Sequence, residues 1–512
     1  MDILKTRITR TNQGYVQGRA GRDEEVTVFR AVPYAAPPVG PLRWRPPQPP
    51  VAWQGVRPAG SESTVPLQER GMFADGGRFD SFYRTEDCLT VDIWTPADTD
   101  LDSLPVMIWI FGGRFQGGYA SDNMYDSELL AAKGVVCVTV NMRVGVFGYL
   151  CHPELLKEGK GLTCGNYGLL DIIEAVKWVS ENIKHFGGNP NNITLVGQST
   201  GALSLCRIVA SGLLNGLYKG LILQSGDSLL SHKPFEDTME DAMVRGSEFA
   251  KYLGADSIDE LRALPPDKFI EDGVNVYEEY FNQICVPIQD RSFFKTPFKE
   301  SLFTENTRFI PMIIGSNADD GFMIMPSEST NEALDTILDE RFGSFAPKIR
   351  RLYSFYGDTQ SYQTFRIIER DYWFARIRFI ALAREKMRHG ATWQYYFTQP
   401  YLWPGLGILG AVHVSELPYV FGSIRLLKGY DYPWDENNDR LFQIMSDFWI
   451  AFIKNSNPNK GWLPIWHPRS HRHKYMEIGL DTGMHMEEIM SEEKMKLWTE
   501  FCMSYCNYTV GE

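Results

Sequence analysis

Residues 191–201 read NNITLVGQSTG. The run Ile193–Val196 is apolar and β-branched, as a strand requires. It passes directly into Gly197-Gln198-Ser199-Thr200-Gly201, and the helix-compatible run ALSLCRIVAS follows at once. This is a G-x-S-x-G pattern lying between a strand and a helix, the context that gives it chemical meaning. Such a turn holds the serine in a strained backbone conformation, and the flanking glycines let strand and helix approach closely. The hydroxyl then stands at a helix N-terminus, where partial positive charge favours a developing anion. A glycine-flanked serine that only caps a helix has the same local sequence, so the rest of the chain must decide between the two.

Outward from this turn, apolar runs alternate with helical patterns. Val106–Phe111, Val135–Asn141, Ile193–Val196, Gly220–Gln224, Pro311–Gly315 and Thr392–Phe397 are rich in Val, Ile, Leu and aromatics. Few polar residues interrupt them, which is how strands covered on both faces read. Tyr167–His185 repeats apolar residues at three- and four-residue spacing, a helical stripe. The alternation predicts an α/β fold: a large, mostly parallel sheet with helices on both faces. The segments at roughly 230–300 and 325–390 are more helical and more charged, and are expected to be insertions over the sheet's carboxyl edge. The Pro-rich PPVGPLRWRPPQPP near the start can be neither helix nor central strand. With no internal repeat and no long linker, one domain over 1–512 is the simplest expectation.

A serine nucleophile needs a base, and the base needs an orienting acid. The usual chain order on this kind of turn is Ser, then Asp or Glu, then His. That order leaves His389, His413, His467, His471, His473 and His485. His389 precedes Gly390 and reads as a helix C-terminal residue. His471 and His473 lie in RSHRHK, a solvated basic face. Pro468 follows His467, and His485 lies between two methionines in a polar segment. His413 stands in the Gly-rich apolar stretch GILGAVHVSELPYVFG, where an imidazole must be partnered or functional. For the acid, PMIIGSNADDGF offers a strand followed by Asp319 and Asp320, and spacing does not choose between them.

Composition narrows the classes of function. The chain has 512 residues, 44 % of them hydrophobic and 13 % aromatic, enough for a large core. Its formal net charge of -13 argues against nucleic acid and anionic membranes as partners. No apolar run approaches a transmembrane length, and MDILKTRITRTNQGYV shows no apolar leader core. The eight cysteines are scattered with no zinc spacing, so reduced thiols in a cytoplasmic protein are expected. Nothing in the sequence points to a metal or organic cofactor, and oligomeric state is left open.

The chain resembles the type-B carboxylesterases, the α/β-hydrolase family that includes cholinesterases and neuroligins. The resemblance rests on FRAVPYAAPPVGPLRWRPP, EDCLTVDIWTP, PVMIWIFGGRFQGG, VNMRVGVFGYL, GNYGLLDIIEAVKWVSENIKHFGGNPNNITLVGQSTG and LILQSG, in family order over nearly the whole length. It implies ester hydrolysis with Ser199 as nucleophile, His413 as base and Asp320, directly before Gly321, as acid. The family uses Glu most often at that position, and the shorter Asp would need His413 slightly closer. The resemblance also implies an oxyanion hole from the backbone N–H groups of Gly113, Arg114 and Thr200. Glu416 and Ser225 match a buried polar network beneath the triad. Arg43 with Glu86, and Arg143 with Asp171, match structural ion pairs.

Three departures from the family pattern stand out. Arg114 occupies a place where a third glycine is usual. It sets a long cation beside the reacting carbonyl, which implies an acidic or strongly hydrogen-bonding acyl part, unless the side chain turns away to pair with an acid. Gln198 replaces the usual Glu before the nucleophile, removing a negative charge near the histidine. The family's disulfide cysteines are largely absent: Cys88 is kept, but its partner region reads TVPLQ, and the second pair is replaced around Ala255 and Ala263. The expected substrate is a small-molecule ester. The alternatives are acyl transfer or lactone closure on the same triad, and a non-catalytic binding protein like the neuroligins.

Overall fold

The computed structural model describes residues 7–23, 25–60, 64–68, 84–229, 238–270, 286–321, 331–353, 361–400, 402–403, 407–408, 410–423, 434–468, 475–479, 481–485, 489–506 and 508. His471 and His473 lie outside these residues. The chain divides into two compact units. One comprises Met1–Gly220, Pro234–Phe298 and Phe421–Gly429; the other comprises Leu221–Lys233, Lys299–Val420 and Tyr430–Glu512.

The main sheet strands of the first unit are β1 (Arg7–Arg10), β2 (Tyr15–Ala20), β3 (Thr27–Pro33), β4 (Thr90–Thr95), β5 (Leu104–Ile110), β6 (Val136–Val140) and β7 (Gly188–Gln198). They hydrogen-bond in the order β1-β2-β3-β4-β6-β5-β7. Pairing is antiparallel as far as β4–β6, then parallel at β6–β5 and β5–β7. Every residue of β6 and all of Val106–Ile110 are buried, which explains their continuous apolar sequence. The predicted strand Ile193–Val196 is the centre of the longer β7. β4 was not legible as a strand because Asp92 breaks its apolar run. That carboxylate is buried but satisfied: it pairs with Arg30 at 2.7 Å and accepts the Ala31 N–H at 2.8 Å.

Helix α1 (Tyr167–Asn182) packs against β7, and α2 (Thr200–Ser211) packs against β7 and β5. α1 buries Leu169, Ile172, Ile173, Val176 and Val179, the stripe read from the sequence. It stops before His185, because Ile183–Phe186 tightens into a 3-10 turn closed by left-handed Gly187. Helices α3 (Met239–Tyr252) and α4 (Ile258–Ala263) are capped by the Thr238 and Ser257 hydroxyls. Their Phe249, Ile258 and Leu261 bury against Trp44, Phe147, Leu150 and Leu155. Within this cluster Cys151 and Cys164 form a disulfide, which corrects the expectation that all thiols are reduced. The other described cysteines, Cys88, Cys137, Cys206, Cys502 and Cys506, are buried and form no disulfide among the described residues.

The second unit carries β8 (Gly220–Gln224), β9 (Met312–Asn317), β10 (Thr392–Phe397), β11 (Tyr475–Ile478) and β12 (Gly483–His485). They pair in that order, parallel as far as β11 and antiparallel at β12. β8 and β10 match their predicted spans residue for residue. Helix α5 (Ser361–Lys386) buries Phe365, Ile368, Tyr372, Ile377 and Ile380, and packs on β9 and β10. The sequence placed this stretch over a carboxyl edge; its apolar stripe instead covers strands. Among the described residues no helix is long and apolar enough to cross a membrane.

Two buried ion pairs brace the first unit, as the resemblance implied. Arg43 grips Glu86 with two bonds of 2.7 Å and donates to the Arg262 and Leu264 carbonyls. Arg143 holds Asp171 through its Nε (2.8 Å), a terminal nitrogen (2.7 Å) and its own backbone N–H (3.0 Å). Their side chains are 3 % and 0 % exposed, so removing one partner strands a charge in the core. Asp171→Ala is therefore expected to lower the unfolding free energy by about 3–5 kcal/mol. Urea denaturation checks this, and a loss under 1 kcal/mol would show that the guanidinium finds other partners.

Candidate active site

The first unit supplies a serine and a set of uncommitted donors. Ser199 closes the turn between β7 and α2 with φ 54° and ψ -130°, a left-handed conformation that a side chain ordinarily avoids. The turn is possible because its neighbours are glycines. A Cβ on Gly201 would collide with the backbone carbonyls of Ile110 and Phe111 at the end of β5. A Cβ on Gly112 would lie 2.6 Å from the Ser199 Cβ and 2.8 Å from the Gln198 carbonyl. The loop after β5 is thereby laid directly against the serine, and Gln198 is buried beneath it.

Three consecutive residues of this loop have positive φ: Gly113 (129°), Arg114 (55°) and Phe115 (65°). The loop is pinned beyond the strained positions. The Phe115 N–H donates to the Thr200 hydroxyl at 3.4 Å, its carbonyl accepts the Gly145 N–H at 2.7 Å, and its ring packs edge-on against Tyr149. Among the described residues, no acceptor takes the backbone N–H of Gly113, Arg114 or Thr200. Thr200 is the first residue of α2, where helical N–H groups have no intrahelical partner. Three amide donors thus stand uncommitted on the two segments that meet at Ser199.

The second unit supplies an imidazole and its carboxylates. His413 Nδ1 and Asp320 Oδ1 lie 2.8 Å apart, and Asp320 is buried. Beside an ionised carboxylate Nδ1 carries the proton, so Nε2 keeps its lone pair. Burial alone would lower the imidazole pKa; the Asp320 hydrogen bond and the charges of Asp320 and Glu416 outweigh it, and the net shift is upward from 6.5. Glu416 is fully buried, and burial with the Asp320 charge raises its carboxyl to about 7. Ser225 is buried in the same unit, its N–H donating to the Gly315 carbonyl at 2.9 Å.

The two aspartates that spacing could not separate have different partners. Asp320 turns inward to His413 and also accepts the Asn317 N–H at 2.7 Å. Asp319 is a fastener: it binds Arg366 at 2.7 Å and accepts the Ala411 N–H at 3.0 Å, while its own N–H donates to the Ala411 carbonyl. The other described histidines lie elsewhere. His389 contacts Arg384, and burial with that charge pushes it down to about 4. His485 stacks on Tyr475, and His467 is exposed.

Sequence reasoning gave no role to Asn317, Gln224 or Trp449. The Asn317 side-chain amide donates to Glu416 at 2.6 Å and to the Val412 carbonyl at 2.8 Å. Gln224 donates to the other Glu416 oxygen at 3.2 Å and accepts from Trp449 Nε1 at 2.9 Å. A continuous chain therefore runs Trp449–Gln224–Glu416–Asn317–Asp320–His413. The available signal was two amides closing the otherwise apolar strands β8 and β9, because a polar residue there must find a partner when buried.

Comparison with known proteins places these features in a group. The family model for the carboxylesterase family matches residues 5–498. The chain is 32% identical to fumonisin B1 esterase of Sphingopyxis macrogoltabida over 93% of this chain and 87% of that protein. It is 30% identical to para-nitrobenzyl esterase of Bacillus subtilis, covering 96% and 98%. Among solved structures, a carboxylesterase of Geobacillus stearothermophilus superposes with a TM-score of 0.81 at 26% identity, covering 96% of this chain and 99% of that one.

The links around His413 differ in expected strength. Asn317→Ala leaves the buried Glu416 and the Val412 carbonyl short of a donor, and is expected to destabilise by about 2–3 kcal/mol. Arg366→Ala removes a part-exposed pair and is expected to remove no more than about 1 kcal/mol. Chemical unfolding of both variants checks the order; the reverse ranking would mean that Asp319, rather than Asn317, holds the histidine turn.

Proposed function

The chain belongs to the carboxylesterase family and is a carboxylic ester hydrolase of the α/β-hydrolase fold, and we propose that it works through an acyl-enzyme on Ser199, with His413 as base and Asp320 as its orienting acid. The observation that carries this reading is the 2.8 Å bond between His413 Nδ1 and Asp320, which leaves Nε2 as a proton acceptor. The strained turn at Ser199 supports it from the other unit.

In the proposed cycle, His413 Nε2 takes the Ser199 proton as the hydroxyl oxygen attacks the ester carbonyl. Asp320 stabilises the imidazolium that forms. The carbonyl oxygen becomes an oxyanion and accepts from the N–H groups of Gly113, Arg114 and Thr200, each worth about 3 kcal/mol of barrier. His413 then returns the proton to the departing alkoxide, which leaves as the alcohol. Water, deprotonated by the same imidazole, attacks the acyl-enzyme, releases the carboxylic acid and restores Ser199. Glu416, Ser225, Asn317 and Gln224 act by positioning the acid and the histidine, and Gln198 supports the serine turn. The substrate is a small-molecule ester, and the family match over 5–498 supports reading the whole chain as one catalytic domain.

The test is hydrolysis of p-nitrophenyl butyrate by the wild type, Ser199→Ala and His413→Ala. Each variant is expected to lose at least about 1,000-fold in kcat/KM. A Ser199→Ala enzyme retaining a tenth of the activity would end the acyl-enzyme reading. The pH profile gives an independent check. Asp320 and Glu416 raise the His413 pKa, so the imidazole protonates and activity falls as pH drops through a value above 6.5. Asp320→Asn should lower kcat sharply and shift that acid limb to lower pH; an unmoved limb would assign it to another group.

A further inference from the structure

The rim of Ser199 carries a cation, Arg114, that has no partner among the described residues. From Phe111 to Gly117 every residue is buried except Arg114, which is exposed. Ser199 itself is half-exposed, so this face of the turn is open to a ligand. Arg114 makes no ion pair or hydrogen bond with any described residue. The sequence left open whether this side chain turns away to an acid; among the described residues it does not. Its place is fixed, because Gly112 is pressed against the serine on one side and Phe115 is pinned by Thr200, Gly145 and Tyr149 on the other. Two residues of backbone span no more than about 7 Å, so the Arg114 Cα stays within that distance of Gly112.

An arginine here is unfavourable for the backbone. At φ 55° a side chain is strained where glycine would not be. Among the described residues no hydrogen bond or ion pair of its side chain repays that strain. The whole chain is acidic, with 64 Asp and Glu against 51 Lys and Arg, so its long-range field opposes an anionic ligand. That field is screened beyond about 8 Å at physiological salt, whereas a guanidinium next to the reacting carbonyl acts inside that distance. Guanidinium binds carboxylate by paired, charge-assisted hydrogen bonds, which no neutral acyl chain can match.

We propose that Arg114 selects esters whose acyl part bears a free carboxylate a few bonds from the scissile carbonyl. The inference rests on the acyl-enzyme reading above and adds the substrate class. Catalysis is unchanged in its steps. The Arg114 N–H serves the oxyanion, while its side chain holds the distal carboxylate and so orients the carbonyl beside Ser199.

The experiment measures kcat/KM for monomethyl glutarate and for methyl valerate, an acyl chain of similar length without the charge, by methanol release at pH 7.5. Wild type, Arg114→Gln, Arg114→Lys, Arg114→Glu and Ser199→Ala are compared. The readout is the charged-to-neutral ratio within each enzyme, so a general loss of rate divides out. The ratio is expected to fall about tenfold in Arg114→Gln, to fall further in Arg114→Glu and to be largely restored in Arg114→Lys. In the wild type it should shrink as salt rises. A ratio that is the same in wild type and Arg114→Gln overturns the proposal while leaving the Ser199 chemistry intact. Activity surviving in Ser199→Ala overturns the acyl-enzyme reading instead, whichever way the ratio moves.

Discussion

The carbonyl oxygens of Ile110 and Phe111 lie where a side chain on Gly201 would begin, and this close approach governs the chemistry of the first unit. Because strand β5 and helix α2 meet without a Cβ between them, the turn joining β7 to α2 can be tight enough to force Ser199 to φ 54°. The same proximity lays Gly112 against the serine. The loop that follows must then turn through three positive-φ residues, and the N–H groups of Gly113 and Arg114 find no acceptor among the described residues. A strained nucleophile and a set of free donors are thus two consequences of one packing constraint. Buried ion pairs such as Arg143–Asp171 hold the surrounding loops so that the strain is not relieved by movement.

The second unit solves a different problem, which is to keep carboxylates in a buried site without losing control of their charge. Asp320 is fully committed, to His413 on one oxygen and to the Asn317 N–H on the other. Glu416 lies close enough for their charges to interact, and burial with that repulsion lifts it to about 7. The amides of Asn317 and Gln224 supply the donors that make this arrangement tolerable. A neutral network of amides therefore fixes the geometry, and the net negative character of the carboxylates raises the basicity of the imidazole. Gln198 is consistent with this division of labour: it contributes packing beside the serine and no charge.

The sequence by itself determined the strands that are buried on both faces, since their apolar runs admit no other reading; β8 and β10 were recovered residue for residue. It also determined the G-x-S-x-G turn, because glycine is the only residue that permits that approach. It was less informative where polarity interrupts a buried strand, as at Asp92, whose partner Arg30 is 62 residues away. Three matters needed the tertiary structure, although the family resemblance had already pointed to Asp320 over Asp319. Asp319 and Asp320 are chemically identical neighbours, and their separate partners, Arg366 and His413, come from distant segments. Asn317 and Gln224 gain their importance from Glu416, which neither adjoins in the chain. Cys151 and Cys164 pair because the fold brings their Cα atoms to 5.2 Å, a proximity that composition and spacing do not encode. In each case the deciding quantity is a distance between residues remote in sequence, whereas the strands and the serine turn are specified by what each residue and its immediate neighbours can sterically allow.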